Sequence, residues 1–111
     1  MKEYNEEQKK AIVKVLLDII YVDGRIDSRE ISYFEKVKNF FDLSPENQFA
    51  VVGLNTLYCL SIIKDMDDEQ KLSFANMMRE TILADEYIDP KEAEAFYNIC
   101  EFIHVTGVGL S

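Results

Sequence analysis

The sequence predicts an all-α fold: a single compact bundle of about five helices, in which a connecting helix joins two repeated helical hairpins. The main observation is an internal repeat, since residues 69–103 align without a gap to residues 7–41 and are identical at ten of 35 positions. Apolar residues also recur every three or four positions, and sustained period-two alternation is missing. Because an internal repeat indicates the architecture of the whole chain, we expect residues 1–111 to form one domain.

The first hairpin follows from capping and turn signals. Asn5 and Gln8 have the spacing of a capping box, and the helix they open runs to about Val22. Its apolar face is wide, which predicts a central position in the bundle. Gly24 forms a turn, because glycine adopts a positive φ without steric cost. Asp27 then caps the second helix.

The connecting segment begins at Pro45, which follows a serine cap and precedes an acid in the first turn. Gly53 interrupts the pattern and would cost about 1 kcal/mol inside a helix. One long helix to about Lys64 and two short helices are therefore both compatible with the sequence. The residues that this stretch is predicted to present on one side are Phe49, Val52, Thr56, Leu60 and Ile63.

The second hairpin repeats the signals of the first. Asp67 and Gln70 form another capping box, and Asp89 with Pro90 starts the last helix. The tail from Thr106 has no periodicity and is expected to fray. The residues predicted to share one core are Ile12, Leu16, Ile20, Phe34, Val37, Phe74, Met78, Ile82, Phe96 and Ile99.

Composition limits the classes of function. The chain has 12 Lys and Arg against 21 Asp and Glu, a net charge of −9, which repels nucleic acid and anionic lipid. No apolar run reaches the roughly 20 residues that span a bilayer, and no signal peptide is recognisable. Cys59 and Cys100 lie in apolar stretches and are expected to be buried free thiols. These features predict a cytoplasmic protein that binds neither nucleic acid nor membrane.

Two acidic turns carry the candidate chemistry. Their sequences are D-G-R-I-D-S-R-E from Asp23 to Glu30 and D-E-Y-I-D-P-K-E from Asp85 to Glu92. The first resembles the second half of an EF-hand calcium loop, in which an acid and a glycine precede an apolar residue, an oxygen ligand and a closing Glu. The residues that could hold Ca²⁺ or Mg²⁺ are Asp23, Asp27, Glu30, Asp85, Asp89 and Glu92.

The match to an EF-hand is incomplete. Ile19 and Tyr21 occupy the positions of the opening acids, while calcium takes about six to eight oxygens. In the second turn Glu86 replaces the glycine, which costs roughly 1 kcal/mol or more if the backbone is left-handed. We therefore expect a cation to bind weakly, and at the first turn before the second.

Helix capping explains most of the same acids. The Asp-x-x-Glu runs beginning at Asp27 and Asp89 have capping-box spacing, worth about 1 kcal/mol each. Only Asp23 and Asp85 lack this explanation, because an acid at a helix C-terminus faces the negative pole of the dipole. Capping alone and a metal site both remain open as interpretations.

The acidic turns also resemble a known family. The stretch LDIIYVDGRIDSRE, from Leu17 to Glu30, and its degenerate copy LADEYIDPKE, from Leu83 to Glu92, are similar to the tellurite-resistance TerB-like family. That all-helical domain also occurs in a membrane-anchored DnaJ-like co-chaperone. The resemblance covers about residues 5–104. It implies a helical bundle, acidic residues that bind a divalent metal, and bacterial stress-response or scaffolding roles.

Catalytic arrangements are not recognisable in the sequence. His104 is the single histidine and is expected to be solvated at a helix end, and no nucleophile lies at a meaningful spacing from it. The prediction is a non-catalytic domain that assembles with other proteins, whose surfaces would be basic. The alternative is a dedicated divalent-metal-binding protein, acting in sequestration or sensing.

Overall fold

The structure, a computed structural model, describes residues 3–22, 24, 27–84 and 87–110. This part of the chain contains six α-helices. No strand occurs among these residues, so the all-α class is confirmed. Within them, no helix is long and apolar enough to cross a bilayer. The helices are α1 (Glu6–Ile20), α2 (Ser28–Phe41), α3 (Pro45–Val51), α4 (Thr56–Lys64), α5 (Asp68–Leu83) and α6 (Pro90–Ile103).

The connecting segment forms two helices, so the expected count of about five is wrong by one. The chain leaves α3 through two turns, and Asn55 caps α4 by accepting a hydrogen bond from the backbone N–H of Tyr58. This break shifts the phase of the buried side chains. The predicted stripe is therefore wrong at Phe49 and Val52, which are 85% and 67% exposed. The residues buried in this segment are Val51, Cys59 and Ile63.

The predicted capping boxes that open α1 and α5 are confirmed. The side chain of Asn5 accepts from the backbone of Gln8 at 2.8 Å, and that of Asp67 accepts from the backbone of Gln70 at 2.8 Å. In both boxes the glutamine side chain returns a hydrogen bond to the cap backbone. Each box satisfies two backbone donors that the first helical turn would otherwise leave exposed.

The helix bounds follow the 62-residue offset of the sequence repeat. Helix α5 starts at residue 68 and α1 at residue 6, while α6 starts at residue 90 and α2 at residue 28. The C-caps of α2 and α6, Asp42 and His104, are left-handed, with φ of 53° and 63°. Local structure therefore recurs with the sequence, and superposition of the two helix pairs stays a prediction.

One hydrophobic cluster contains nine of the ten predicted core residues, all of them buried. The tenth, Ile99, is partly buried and packs against the cluster. Helix α1 contacts each of the other five described helices, so the predicted central position is confirmed. The bundle is thus organised around α1, and the acidic turns lie at the starts of α2 and α6.

The C-terminal tail packs against α5 and α6. Arg79 Nε donates to the carbonyl of Gly109 at 2.9 Å, and the backbone N–H of Leu110 donates to the Tyr97 hydroxyl at 3.2 Å. Leu110 is buried. The expectation of fraying from Thr106 is therefore wrong. A segment without helical periodicity can still be held by hydrogen bonds to distant side chains, which the sequence pattern does not show.

Candidate functional site

The first acidic turn joins α1 to α2. Gly24 has a φ of +78°, the left-handed conformation expected of the turn glycine. Asp27 is the N-cap of α2, and its Oδ1 accepts from the backbone N–H of Arg29 at 2.8 Å and of Glu30 at 3.4 Å. Asp23, the predicted ligand before Gly24, lies outside the described residues.

The Asp27 carboxylate is held in its charged form. Burial opposes its ionisation, but hydrogen bonds from the backbone and side chain of Arg29, the backbone of Glu30 and the charge of Arg29 together lower the pKa of Asp27. The Arg29 Nε lies 3.5 Å from Asp27 Oδ1. One carboxylate oxygen of Asp27, a predicted metal ligand, is therefore already used to cap α2.

The second acidic turn repeats this arrangement at the start of α6. Asp89 is the N-cap, its Oδ1 accepts from the backbone N–H of Lys91 at 2.8 Å, and Pro90 occupies the first helical position. The predicted ligand Asp85, and Glu86 in place of the turn glycine, lie outside the described residues. The cap half of the predicted box is thus present in both turns.

The two glutamates of the turns are buried, which the sequence analysis did not anticipate. Glu30 is 3% and Glu92 is 2% exposed, although carboxylates are almost never fully buried unless paired. A signal was available in the helical period. Glu30 lies four residues before Phe34, and Glu92 four before Phe96, so each glutamate shares the buried face of its helix.

A ready-made metal cluster is not seen in the described part of the chain. Among residues 3–22, 24, 27–84 and 87–110, no three His, Cys, Asp or Glu side chains are grouped so as to hold an ion. Asp27, Glu30, Asp89 and Glu92 are therefore not brought together into one site. Each of the two aspartates serves its own helix as a cap.

Three apolar side chains are exposed around the connection between α3 and α4. We name Phe49, Val52 and Leu57 the elbow patch; they are 85%, 67% and 70% exposed. Phe49 lies in the last turn of α3, Val52 is the C-cap of that helix, and Leu57 lies in the first turn of α4. Single exposed apolar residues are ordinary, but three large ones so close together in the chain favour a contact surface.

Acidic side chains of α1 border the two helices that carry the elbow patch. The Asn47 amide of α3 donates to Glu6 Oε2 at 3.1 Å, and the Tyr58 hydroxyl of α4 donates to Glu7 Oε2 at 3.2 Å. These bonds fix the two carboxylates beside α3 and α4. Negative charge therefore borders α3 and α4, the two helices that carry the elbow patch.

A shallow surface groove lies between α2 and α5, which contact each other. It has a volume of about 390 Å³ and is mainly apolar. The pKa of Tyr33 at its wall is raised by burial and by the charge of Glu80. We name this space the α2–α5 groove; its lining residues are Tyr33, Lys36, Val37, Phe40, Ser73, Asn76, Met77 and Glu80.

The cysteines and the histidine lie as the sequence predicts. Cys59 and Cys100 are free and buried, and burial raises the pKa of both thiols. Because the thiolate is the reactive form, both are poor nucleophiles near neutral pH. His104 is exposed at the end of α6.

Comparison with known proteins identifies the fold. A crystal structure of PG1108, a protein of unknown function from Porphyromonas gingivalis W83, matches with a TM-score of 0.80 over 99% of this chain and 92% of that chain. The two sequences are 18% identical. That likeness shows the fold alone. No protein-family model matches the chain, and no curated protein matches it either.

Proposed function

We propose that this chain is a non-catalytic TerB-like interaction domain, built from two repeated helical hairpins, that assembles with other proteins in a bacterial stress response. The observation that carries the proposal is the elbow patch. A partner that covers its three side chains would remove apolar surface from water. Such burial stabilises a complex by about 25 cal/mol for each Å² of apolar surface. The TerB-like assignment is supported by the two acidic turns and their 62-residue offset.

The proposed partners have basic surfaces. The net charge is −9, and Glu6 and Glu7 lie beside the helices of the elbow patch. Complementary charge would raise the association rate and would be screened by salt. The two buried free thiols support action in the reducing cytoplasm.

Affinity capture with matched variants tests this proposal. The wild type is compared with the double variant Phe49→Ser/Leu57→Ser, and with Leu72→Ser, an exposed apolar control on α5. We expect the wild type and the control to retain the same proteins, with retention falling as salt rises. We expect the double variant to lose them. Equal capture by all three would refute the elbow patch as the binding surface, and complexes indifferent to salt would refute the proposed basic partners.

A second proposal is that the acidic turns bind a divalent cation, in which case the domain would act in metal sequestration or sensing. The left-handed Gly24 and the two buried glutamates support it. Few fixed oxygens are available, so affinity should lie near 10⁻⁴–10⁻³ M for calcium, on the order of an extracellular module. Mg²⁺ is an equal candidate, because it binds through one or two carboxylates and several waters.

A cation titration followed by backbone amide resonances tests the metal proposal. On addition of Ca²⁺ or Mg²⁺ we expect shifts at Gly24 and Glu30 before any at Glu92. The Asp23→Asn variant should remove them, while Asp68→Asn, an exposed acid in the first turn of α5, should not. Shifts that survive in Asp23→Asn, or begin at the second turn, would contradict the site. Silence to millimolar ion would leave capping as the role of these acids.

A further inference from the structure

The α2–α5 groove corresponds, through the sequence repeat, to a surface that is covered elsewhere in the same molecule. Shifting each lining residue by 62 positions gives a set on α6 and α1. On α6 these residues are Ala95, Asn98, Ile99 and Phe102, and on α1 they are Ala11, Lys14, Val15 and Asp18. Helix α4 contacts both α1 and α6. The equivalent surface is therefore already occupied by a helix.

The contacts of α4 on that surface are specific. Thr56 Oγ1 donates to Asp18 Oδ2 at 2.6 Å, and the Lys64 ammonium lies 4.8 Å from the centre of the Phe102 ring. Between these ends, Cys59 and Ile63 are fully buried. Helix α4 thus presents a hydroxyl, a small apolar residue, a branched apolar residue and a charged residue at positions i, i+3, i+7 and i+8.

Most of these features have counterparts in the α2–α5 groove. Glu80 stands where Asp18 binds the hydroxyl, and Phe40 stands where Phe102 receives the ammonium. The floor residue Met77 is half-buried, whereas its counterpart under α4, Val15, is buried. The other floor residue, Val37, is buried, whereas its counterpart Ile99 is half-buried. The groove therefore keeps the chemistry of the covered surface and is more open than that surface at Met77 and at Phe40, which is 55% exposed against 39% for Phe102.

We propose that the α2–α5 groove binds one amphipathic α-helix of another protein, in the manner in which α4 packs on α1 and α6. The proposal rests on the proposed interaction function and adds a second surface to it. The bound helix is expected to present a Ser or Thr hydroxyl to Glu80. A small and a branched apolar residue, three and seven positions later, would fill the floor at Met77 and Val37.

One substitution in the groove sets the preferred charge at the last position of the bound helix. Asn98, which shares a surface depression with Lys64, is replaced in the groove by Lys36. A lysine at the position of Lys64 would face this ammonium, whereas a glutamate would pair with it. The groove should therefore prefer an acid where α4 carries a lysine, an exposed pair worth about a two- to fivefold change in affinity.

The probe is a labelled synthetic peptide of residues 54–66 carrying Cys59→Ala. A hydrocarbon staple joins positions 57 and 61, which are exposed and four residues apart, because so short a helix is marginal in water. A second form also carries Lys64→Glu. Fluorescence anisotropy against the full chain should show binding by both forms, with the glutamate form about two- to fivefold tighter at low salt.

Matched variants of the protein locate the binding site. Phe40→Ser should weaken binding by about tenfold, as expected of an aromatic anchor. Phe102→Ser, its repeat counterpart on α6, should leave binding unchanged. Backbone amide shifts on adding peptide should centre on Ser73, Asn76 and Met77, and circular dichroism should show that both variants keep the wild-type fold.

Three results would overturn the proposal. The first is no binding by either peptide, even at millimolar concentration. The second is tighter binding by the lysine form with shifts in α1 and α6, which would mean that the peptide displaces the protein's own α4. The third is a free protein that forms dimers by exchanging α4, which would make a second copy the occupant. The peptide-binding result does not depend on whether the Phe49→Ser/Leu57→Ser variant loses its partners. Failure of one proposal can therefore be told apart from failure of the other.

Discussion

Replacing Phe96 with alanine is expected to lower the free energy of unfolding by about 3–5 kcal/mol. Phe96 is fully buried in α6, and its ring meets Tyr97 edge-on with 5.0 Å between centroids. Transfer of a buried Phe side chain contributes about 1.5–3 kcal/mol, and the edge-to-face pair adds about 0.5–1.5 kcal/mol. The cavity left behind raises the loss further, because close-packed neighbours relax only partly.

Urea unfolding followed by circular dichroism measures this loss. In thermal unfolding, the Tm of a domain of this size falls by about 4 °C for each kcal/mol of lost stability. Phe96→Ala should therefore melt roughly 12–20 °C below the wild type. Phe34→Ala should have a similar effect, because Phe34 is the buried repeat counterpart in α2. Phe102→Ala serves as the control: that ring is 39% exposed, and losing its contact with Lys64 should cost about 1 kcal/mol.

The result that would refute the reasoning is a Phe96→Ala loss no larger than that of Phe102→Ala. In that case Phe96 would not be packed in the core as described. A large loss at Phe96 together with a negligible one at Phe34 would instead contradict the equivalence of the two hairpins.

Two further predictions concern a helix cap and the tail. Asn caps helices about as well as Asp, so Asp27→Asn removes mainly a charge. Because the folded state lowers the pKa of Asp27 below 3.8, the wild type should be more stable at pH 6, and urea midpoints should converge as pH falls through that lowered pKa; a gap that stays constant as the pH falls below 3.8 would contradict this. Tyr97→Phe removes the hydroxyl that accepts from Leu110 N–H. It should cost about 1 kcal/mol and speed hydrogen exchange at that amide; unchanged protection would contradict the tail contact.

The helix starts could be predicted because their causes are local. Asn5, Ser44, Asp67 and Asp89 each accept a hydrogen bond from a backbone N–H two or three residues later, so the residue type and its spacing suffice. The core was equally accessible, since helical spacing assigns each apolar residue to a face.

The features missed by the sequence analysis depend on contacts between distant parts of the chain. The stripe through Phe49 and Val52 assumed one helix, and the break before α4 is stabilised by the cap of Asn55 and by the bond from Thr56 to Asp18. The tail is positioned by Arg79 on α5, which is 30 residues away. Periodicity reports none of these. For the site, residue type and spacing predicted the caps, whereas the burial of Glu30 and Glu92, which the helical period indicates, was missed.

The left-handed residues that end α2 and α6 have a consequence for how this domain can change over time. Asp42 and His104 adopt a conformation in which glycine is the usual residue, at a cost of roughly 1–2 kcal/mol each. Substitution by glycine at either position would remove that strain and would therefore stabilise the domain. Surface changes that sharpen binding but weaken the fold could be tolerated, since compensating substitutions are available at two helix ends.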